Sequence, residues 1–294
     1  MIAVGALAAA GSAYQYFSEA AELARVRPAG QFVAIDGRQV RVVCAGAAAG
    51  PSVVIEAGSG DNASSWENVV RRVAGFARVC AYDRAGLGWS DPAPGPRTMD
   101  DRAAELHAVL GAAGLPAPYV LVGHSYGGFI VRRFAAAYPA EVKGVILVDA
   151  PEEAYALVPD GMAVIRAIGW RSRLLGWMTR LGIARLLWTS ESPLRTSQHF
   201  EVADEMDSYD RVAPGQRVAG GLGGLGNTPL VVISRAVRDP VSGAEIAPDW
   251  QEGQQRLLHL STRSRQVIAA RSGHVIQFSE PGVIEQAIEE VRQE

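Results

Sequence analysis

Two hydrophobic rhythms alternate along this chain. Short runs dense in β-branched residues recur, namely "QFVAI", "RQVRVVCA", "SVVIEAG", "ARVCAYD", "YVLVGH", "KGVILVD", "PLVVISR" and "SRQVIAA". Runs of this length bounded by turn residues predict strands. Between them lie segments with helical spacing, among them "WENVVRRVAGF" and "TMDDRAAELHAVLGAAG". Thr98 opens the second as a cap, and acidic residues fill its first turn. Strands that alternate with helices predict crossover units and therefore an α/β protein with a mostly parallel sheet. The first two runs meet at Asp36-Gly37, a strong hairpin signal, so they predict an antiparallel edge.

The rhythm breaks after Asp149. Residues 151–226 hold helices and loops but no strand of comparable quality, and the pattern resumes at "PLVVISR" before a closing helix begun by Pro281. The expected organisation is a core of residues 25–150 and 227–294 with residues 151–226 inserted as a helical lid after the sixth strand. Within the insert, "GMAVIRAIGWRSRLLGWMTRLGIARLLW" carries five arginines and no acid, interleaved with Trp170, Trp177 and Trp188. A lid that turns its apolar face to the core and keeps its arginines solvated has this pattern. So does a helix resting on a membrane surface. Residues 1–24 carry no charge through Phe17, yet their apolar run is shorter than the ~20 residues of a spanning helix, and no basic residue precedes Arg25. An anchor, a signal segment and a docked surface helix all stay open, with a membrane-associated or exported protein favoured over a cytoplasmic one.

Composition narrows the class. With 294 residues, 48% of them hydrophobic, the chain can bury one large core, as single α/β domains of this size do. Its 28 basic and 31 acidic residues give a net charge of −3, which offers no overall attraction to nucleic acid. Cys44 and Cys80 lack a C-x-x-C spacing and sit in apolar runs, so they read as buried free thiols. "GLGGLG", Gly221 to Gly226, matches a dinucleotide fingerprint literally but precedes a strand, and reads as a flexible return from the insert. No ligand-spaced cluster suggests a metal.

The stretch Gly123-His124-Ser125-Tyr126-Gly127 carries the chemistry. It lies between the strand "YVLV" and the helix "GGFIVRRF" and fits G-x-S-x-G. There the serine occupies a strained turn, and small residues two positions away on either side let strand and helix approach. The helix turns its free N–H groups and positive end toward oxygen charge beside Ser125, with the Tyr126 N–H as one donor.

On these residues the chain resembles the α/β-hydrolase fold family, in particular its lipase-like and esterase-like members, over nearly all residues from about Gln31 onward. The resemblance implies eight strands in a mostly parallel sheet with helices on both faces, Ser125 as nucleophile and no cofactor. His274, in "RSGHVIQFSEPGVI", matches the loop that carries the family's base, whereas His107, His124, His199 and His259 read as ordinary surface or packed histidines. Aligning Gly58 of "VVIEAGSGDNASSW" with the family's glycine makes the Ser59 N–H the second oxyanion donor, with Gly60 as the neighbouring register. Asp83 and Arg84 in "AYDRAGLGWSD" read as braces of their turn, and Trp66 and Trp89 as packing or cleft-lining residues.

Two aspartates satisfy the chain order Ser, Asp, His. Asp239 follows the seventh strand, with a spacing longer than the usual spelling. Asp149 ends the sixth strand and reaches the imidazole without depending on a loop, so it is the preferred acid, with Asp239 as the alternative. The implied activity is hydrolysis of a carboxylic ester, an acyl ester, lipid or lactone, through an acyl-enzyme. Peptidase, C–C hydrolase, perhydrolase and acyltransferase chemistry stay open on the same scaffold. A non-catalytic ligand receptor is the reading from another class, and an intact serine and histidine argue against it. The expected partner is a small-molecule or lipid ester, with membrane contact through the N-terminus and lid as a further option; oligomeric state is not fixed by the sequence.

Overall fold

In the computed structural model, residues 2–25, 28–46, 50–153, 159–187, 195–212, 222–237 and 248–294 are described. The eight hydrophobic runs become β1 (Gln31–Ile35), β2 (Arg38–Ala45), β3 (Ser52–Glu56), β4 (Val79–Tyr82), β5 (Tyr119–His124), β6 (Val142–Val148), β7 (Leu230–Arg235) and β8 (Ser264–Ala269). They form one sheet in the order β1-β2-β4-β3-β5-β6-β7-β8. Strands β1, β2 and β4 pair antiparallel, and every pairing from β4 through β3 to β8 is parallel. Asp36 and Gly37 both take positive φ, 48° and 77°, in the two-residue turn that twists β1 back onto β2.

A parallel sheet must be covered on both faces, and its residues alternate between the two layers. Leu121 of β5 packs in a core with Leu106 of α3 (Met99–Ala112) and with Phe129, Ile130 and Phe134 of α4 (Gly127–Ala137). Its neighbours Val120 and Val122 pack on the opposite face with Val69 and Val73 of α2 (Glu67–Val73) and Ile284 and Ile288 of α10 (Pro281–Gln293). Trp66 is fully buried in that second layer, so it packs and lines no cleft. Thr98 and Asp101 exchange hydrogen bonds as a capping box at the start of α3, the reciprocal pairing that fixes a helix N-terminus.

The two cysteines depart from expectation. Cys44 on β2 and Cys80 on β4 are register partners and form a disulfide, with their Cα atoms 4.1 Å apart. They lie 36 residues apart in sequence, so only the pairing of β2 with β4 brings them together.

Among the described residues between β6 and β7 are the helices α5 (Pro159–Arg180), α6 (Ile183–Leu187) and α7 (Thr196–Val212), with α5 packed along α7. The N-terminal segment is the helix α1 (Ile2–Arg25), which packs on α5. Gly11 makes that contact close, since a Cβ there would stand 2.1 Å from the Leu181 carbonyl oxygen. Arg185 of α6 donates to Gln15 and pairs with Glu22 of α1. No described helix is long and apolar enough to cross a membrane. Of the Gly221–Gly226 stretch, Gly223 and Gly226 have positive φ and lead into β7, while Gly221 lies outside the described residues.

Candidate active site

Ser125 leaves the tip of β5 at φ 48°, a left-handed conformation that a side-chain-bearing residue adopts only when its surroundings enforce it. Its N–H donates to Val148 O at 3.1 Å and its carbonyl accepts from Gly128 N–H at 2.9 Å. The flanking glycines have a steric cause. A Cβ on Gly123 would lie 2.8 Å from Gly127 O, and one on Gly127 would lie 2.4 Å from Glu56 O. Strand β5, helix α4 and the end of β3 therefore meet at a distance that only glycine permits.

Asp149 follows β6 with φ 42° and is fully buried. Its Oδ2 accepts a hydrogen bond from His274 Nδ1 at 2.6 Å, and its Oδ1 accepts from the indole N–H of Trp250, on α8 (Pro248–Leu258), at 3.0 Å. Arg235, at the end of β7, lies 3.5 Å from the same carboxylate and stacks 4.8 Å from the Trp250 ring. Because a carboxylate only accepts, His274 carries its proton on Nδ1, which leaves Nε2 as the basic nitrogen. His274 sits in the loop between β8 and α9 (Ile276–Ser279). The loop is fastened by Glu280, which accepts from the Arg271 N–H and the Ser272 hydroxyl, both at 2.8 Å. Asp239 lies outside the described residues.

His124, a packed histidine by its place in the elbow, also holds the His274 loop. Its Nε2 donates to the His274 carbonyl at 3.0 Å, and the two rings stand 4.8 Å apart. Burial first, then the neighbouring His274, lowers its pKa from 6.5 to about 3, so it stays neutral and cannot serve as the base. The unfolded chain protonates first on acidification. The stability held by neutral His124 is therefore complete above about pH 6.5 and is lost as pH falls toward 3, at up to about 1.4 kcal/mol per pH unit. Melting temperatures measured between pH 7 and pH 4 should fall less steeply for His124→Asn than for the native chain; equal slopes would contradict this assignment.

The loop after β3 approaches Ser125 from the other side of the elbow's glycines. A Cβ on Gly58 would come within 3.4 Å of Ser125 Cβ and 2.8 Å of His124 Nδ1, so this backbone runs directly beside the serine. Neither the Ser59 N–H nor the Tyr126 N–H donates to another backbone group among the described residues. The Gly60 N–H, by contrast, is taken by Glu205 of α7 at 3.1 Å, which removes it as a donor in the alternative register. Asp83 accepts from the backbone of Ala63 and Trp89, both at 2.9 Å, and so braces its turn. Arg84 instead reaches the loop after β3, donating to Ala57 O and Gly58 O, both at 2.6 Å. Among the described residues no group of His, Cys, Asp and Glu is arranged to hold a metal.

A strained serine at a strand-to-helix turn, a buried carboxylate on an imidazole, and two amides without a backbone acceptor among the described residues lie at the C-terminal ends of parallel strands, where ligands bind in open α/β sheets. The chain has the α/β-hydrolase fold, and residues 51–181 match the family model described as alpha/beta hydrolase fold. Among curated proteins it is similar to the uncharacterized protein YqjL of Bacillus subtilis, 27% identical over 245 residues that cover 82% of this chain and 83% of that one. Its structure is similar to that of MGS-M2, an alpha/beta hydrolase enzyme from a Medee basin deep-sea metagenome library (TM-score 0.68, 17% identity, 90% of this chain and 98% of that one). It is also similar to that of a thermophilic esterase from Thermogutta terrifontis (TM-score 0.61, 21% identity, 90% of this chain and 100% of that one).

Proposed function

We propose that this chain is a serine hydrolase of carboxylic esters. The observation that carries the reading is the 2.6 Å hydrogen bond from His274 Nδ1 to buried Asp149, beside a serine held at positive φ. Ser125 Oγ attacks the ester carbonyl while His274 Nε2 takes its proton, and the oxyanion forms against the Ser59 and Tyr126 amides. The imidazolium then protonates the departing alcohol, leaving an acyl-serine. Water, deprotonated by the same nitrogen, releases the carboxylic acid and restores Ser125. The likeness to an esterase supports the substrate class. A panel of p-nitrophenyl esters of rising chain length, with a lactone and an anilide alongside, tests it. Turnover of the esters or the lactone is expected, and turnover of the anilide alone would move the reading to amide or peptide hydrolysis.

A second observation supports contact with an anionic lipid surface. Trp170, Leu174 and Trp177 of α5 are exposed, the tryptophans by 67% and 51%, and their i, i+4, i+7 spacing lines one stripe of the helix. Arg171 and Arg180 are exposed on the same helix, and Val4, Leu7 and Phe17 of the adjoining α1 are exposed as well. Apolar rings flanked by guanidinium groups suit a headgroup boundary. The full chain should sediment with phosphatidylcholine vesicles that contain phosphatidylserine and less so with phosphatidylcholine alone, and Trp170→Ser with Trp177→Ser should weaken binding. A chain left in the supernatant with both vesicles excludes this contact.

A further inference from the structure

The inserted helix α7 touches the side chains of both residues proposed above as amide donors of the oxyanion hole. Glu205 is fully buried. Its Oε2 accepts from the Ser59 hydroxyl at 2.6 Å and from the Gly60 N–H at 3.1 Å. Its Oε1 accepts from Arg84 Nε at 2.9 Å. One turn on, the Ser208 hydroxyl donates to Glu205 O at 2.7 Å, so it accepts from the Tyr126 hydroxyl, also at 2.7 Å. Residues three apart share a helix face, so one turn of α7 grips Ser59 by one side chain and Tyr126 by the other.

The charges around this turn favour holding over mere filling. Arg84 continues from Glu205 to Glu56 Oε1 at 2.7 Å and to the carbonyls of Ala57 and Gly58, while the Tyr82 hydroxyl donates to the other Glu56 oxygen at 2.5 Å. Burial alone would raise the Glu205 pKa, but Arg84 and then Arg102 overcome it and hold the carboxyl below its usual range. The same two guanidinium groups lie near the Tyr126 ring, Arg84 at 5.7 Å and Arg102 at 5.5 Å from its centre. A buried carboxylate beside a forming oxyanion would repel it. Pairing with Arg84 and Arg102 cancels that field and leaves the geometric hold.

We propose that the Glu205–Ser208 turn of the insert positions both amide donors of the oxyanion hole, so that the seating of the inserted helices sets transition-state stabilisation at Ser125. The inference rests on the serine-hydrolase reading. Glu205 and Ser208 are positioning residues: they act through Ser59, Gly60 and Tyr126 and touch no reacting atom. An insert lifted from the core carries Glu205 away and frees the Ser59–Gly60 segment, whereas a seated insert fixes it.

The test measures kcat and KM on the best ester of the panel for Glu205→Gln, Ser208→Ala and Ser59→Ala in the full chain, together with the rate of fluorophosphonate labelling. Glutamine keeps the volume but cannot accept from Ser59, Gly60 and Arg84 together. Its kcat should fall about 10- to 100-fold, less than the 10²–10³ lost with an outright oxyanion donor, with KM changed by no more than about two-fold. Labelling should slow by a similar factor, and the affinity for a trifluoromethyl ketone, which places an oxyanion in the hole, should drop while KM does not. Ser59→Ala and Glu205→Gln combined should cost less than the product of the two, because they break one contact. Should Glu205→Gln fail to fold, Ser208→Ala and Ser59→Ala carry the same split. Folded variants with native kcat and native ketone affinity overturn the proposal while leaving the hydrolase reading intact. A native chain that neither turns over esters nor labels at Ser125 removes the reading and the proposal with it.

Discussion

Ser125→Ala and His274→Ala should each lower ester turnover by on the order of 10⁴-fold or more, because nucleophile and base act as a unit and losing either loses both contributions. On the proposed reading the hydroxyl, a weak nucleophile alone, depends on Nε2 of an imidazole whose other nitrogen is bonded to Asp149. Ser125→Ala should also abolish covalent modification by a fluorophosphonate, seen as the loss of the adduct in intact-mass analysis. Residual activity in these variants should resemble that of the oxyanion amides and substrate binding acting alone. Labelling that persists unchanged in Ser125→Ala would assign the reactive hydroxyl to another residue.

Asp149→Asn is expected to cost nearly as much. The amide keeps the shape of the carboxylate but can donate to His274 Nδ1, which stabilises the tautomer with its proton on Nε2, the wrong one for a base; in a well-studied triad this change cost ~10⁴ in turnover. Asp149 also accepts from Trp250 and lies beside Arg235, so Asn leaves the Arg235 charge with a neutral neighbour. The pair Asp149→Asn and Asp239→Asn separates the two candidate acids, with collapse expected for the first and near-native turnover for the second. The reverse result would move the acid to the loop after β7.

The eight strands were legible because each is a short apolar run with β-branched residues bounded by turn residues, and the central ones, β3 to β7, are buried almost throughout. The hairpin was legible because Asp36-Gly37 is a local turn signal. The strained turn at Ser125 was legible for a local reason as well: the glycines that permit it lie within two residues. The disulfide was not, since Cys44 and Cys80 become neighbours only through the pairing of β2 with β4. The same holds for Glu205. Nothing in "EVADEMDSYD" marks one carboxylate of several as the one that α7 turns onto Arg84 and the Ser59–Gly60 loop. His124 was read as an ordinary packed histidine from its place in the elbow. Its bond to the His274 carbonyl depends on a loop 150 positions later.

The insert leaves the sheet at Asp149 and returns before Leu230, while the β6–β7 ladder closes beneath it from Val145↔Leu230 to Val148↔Ile233. As far as strand pairing is concerned, it could be exchanged for the corresponding segment of another protein of this fold without disturbing a ladder hydrogen bond. Glu205 breaks that modularity. A graft lacking a carboxylate at this place would bury the Arg84 guanidinium with Glu56 as its remaining close carboxylate and leave the Ser59 hydroxyl and Gly60 N–H without an acceptor, a penalty of several kcal/mol by the usual cost of orphaned buried polar groups. Chimeras built to change substrate range should therefore carry the Glu205–Ser208 turn with them, or exchange the Ser59–Gly60 loop and Arg84 in the same step.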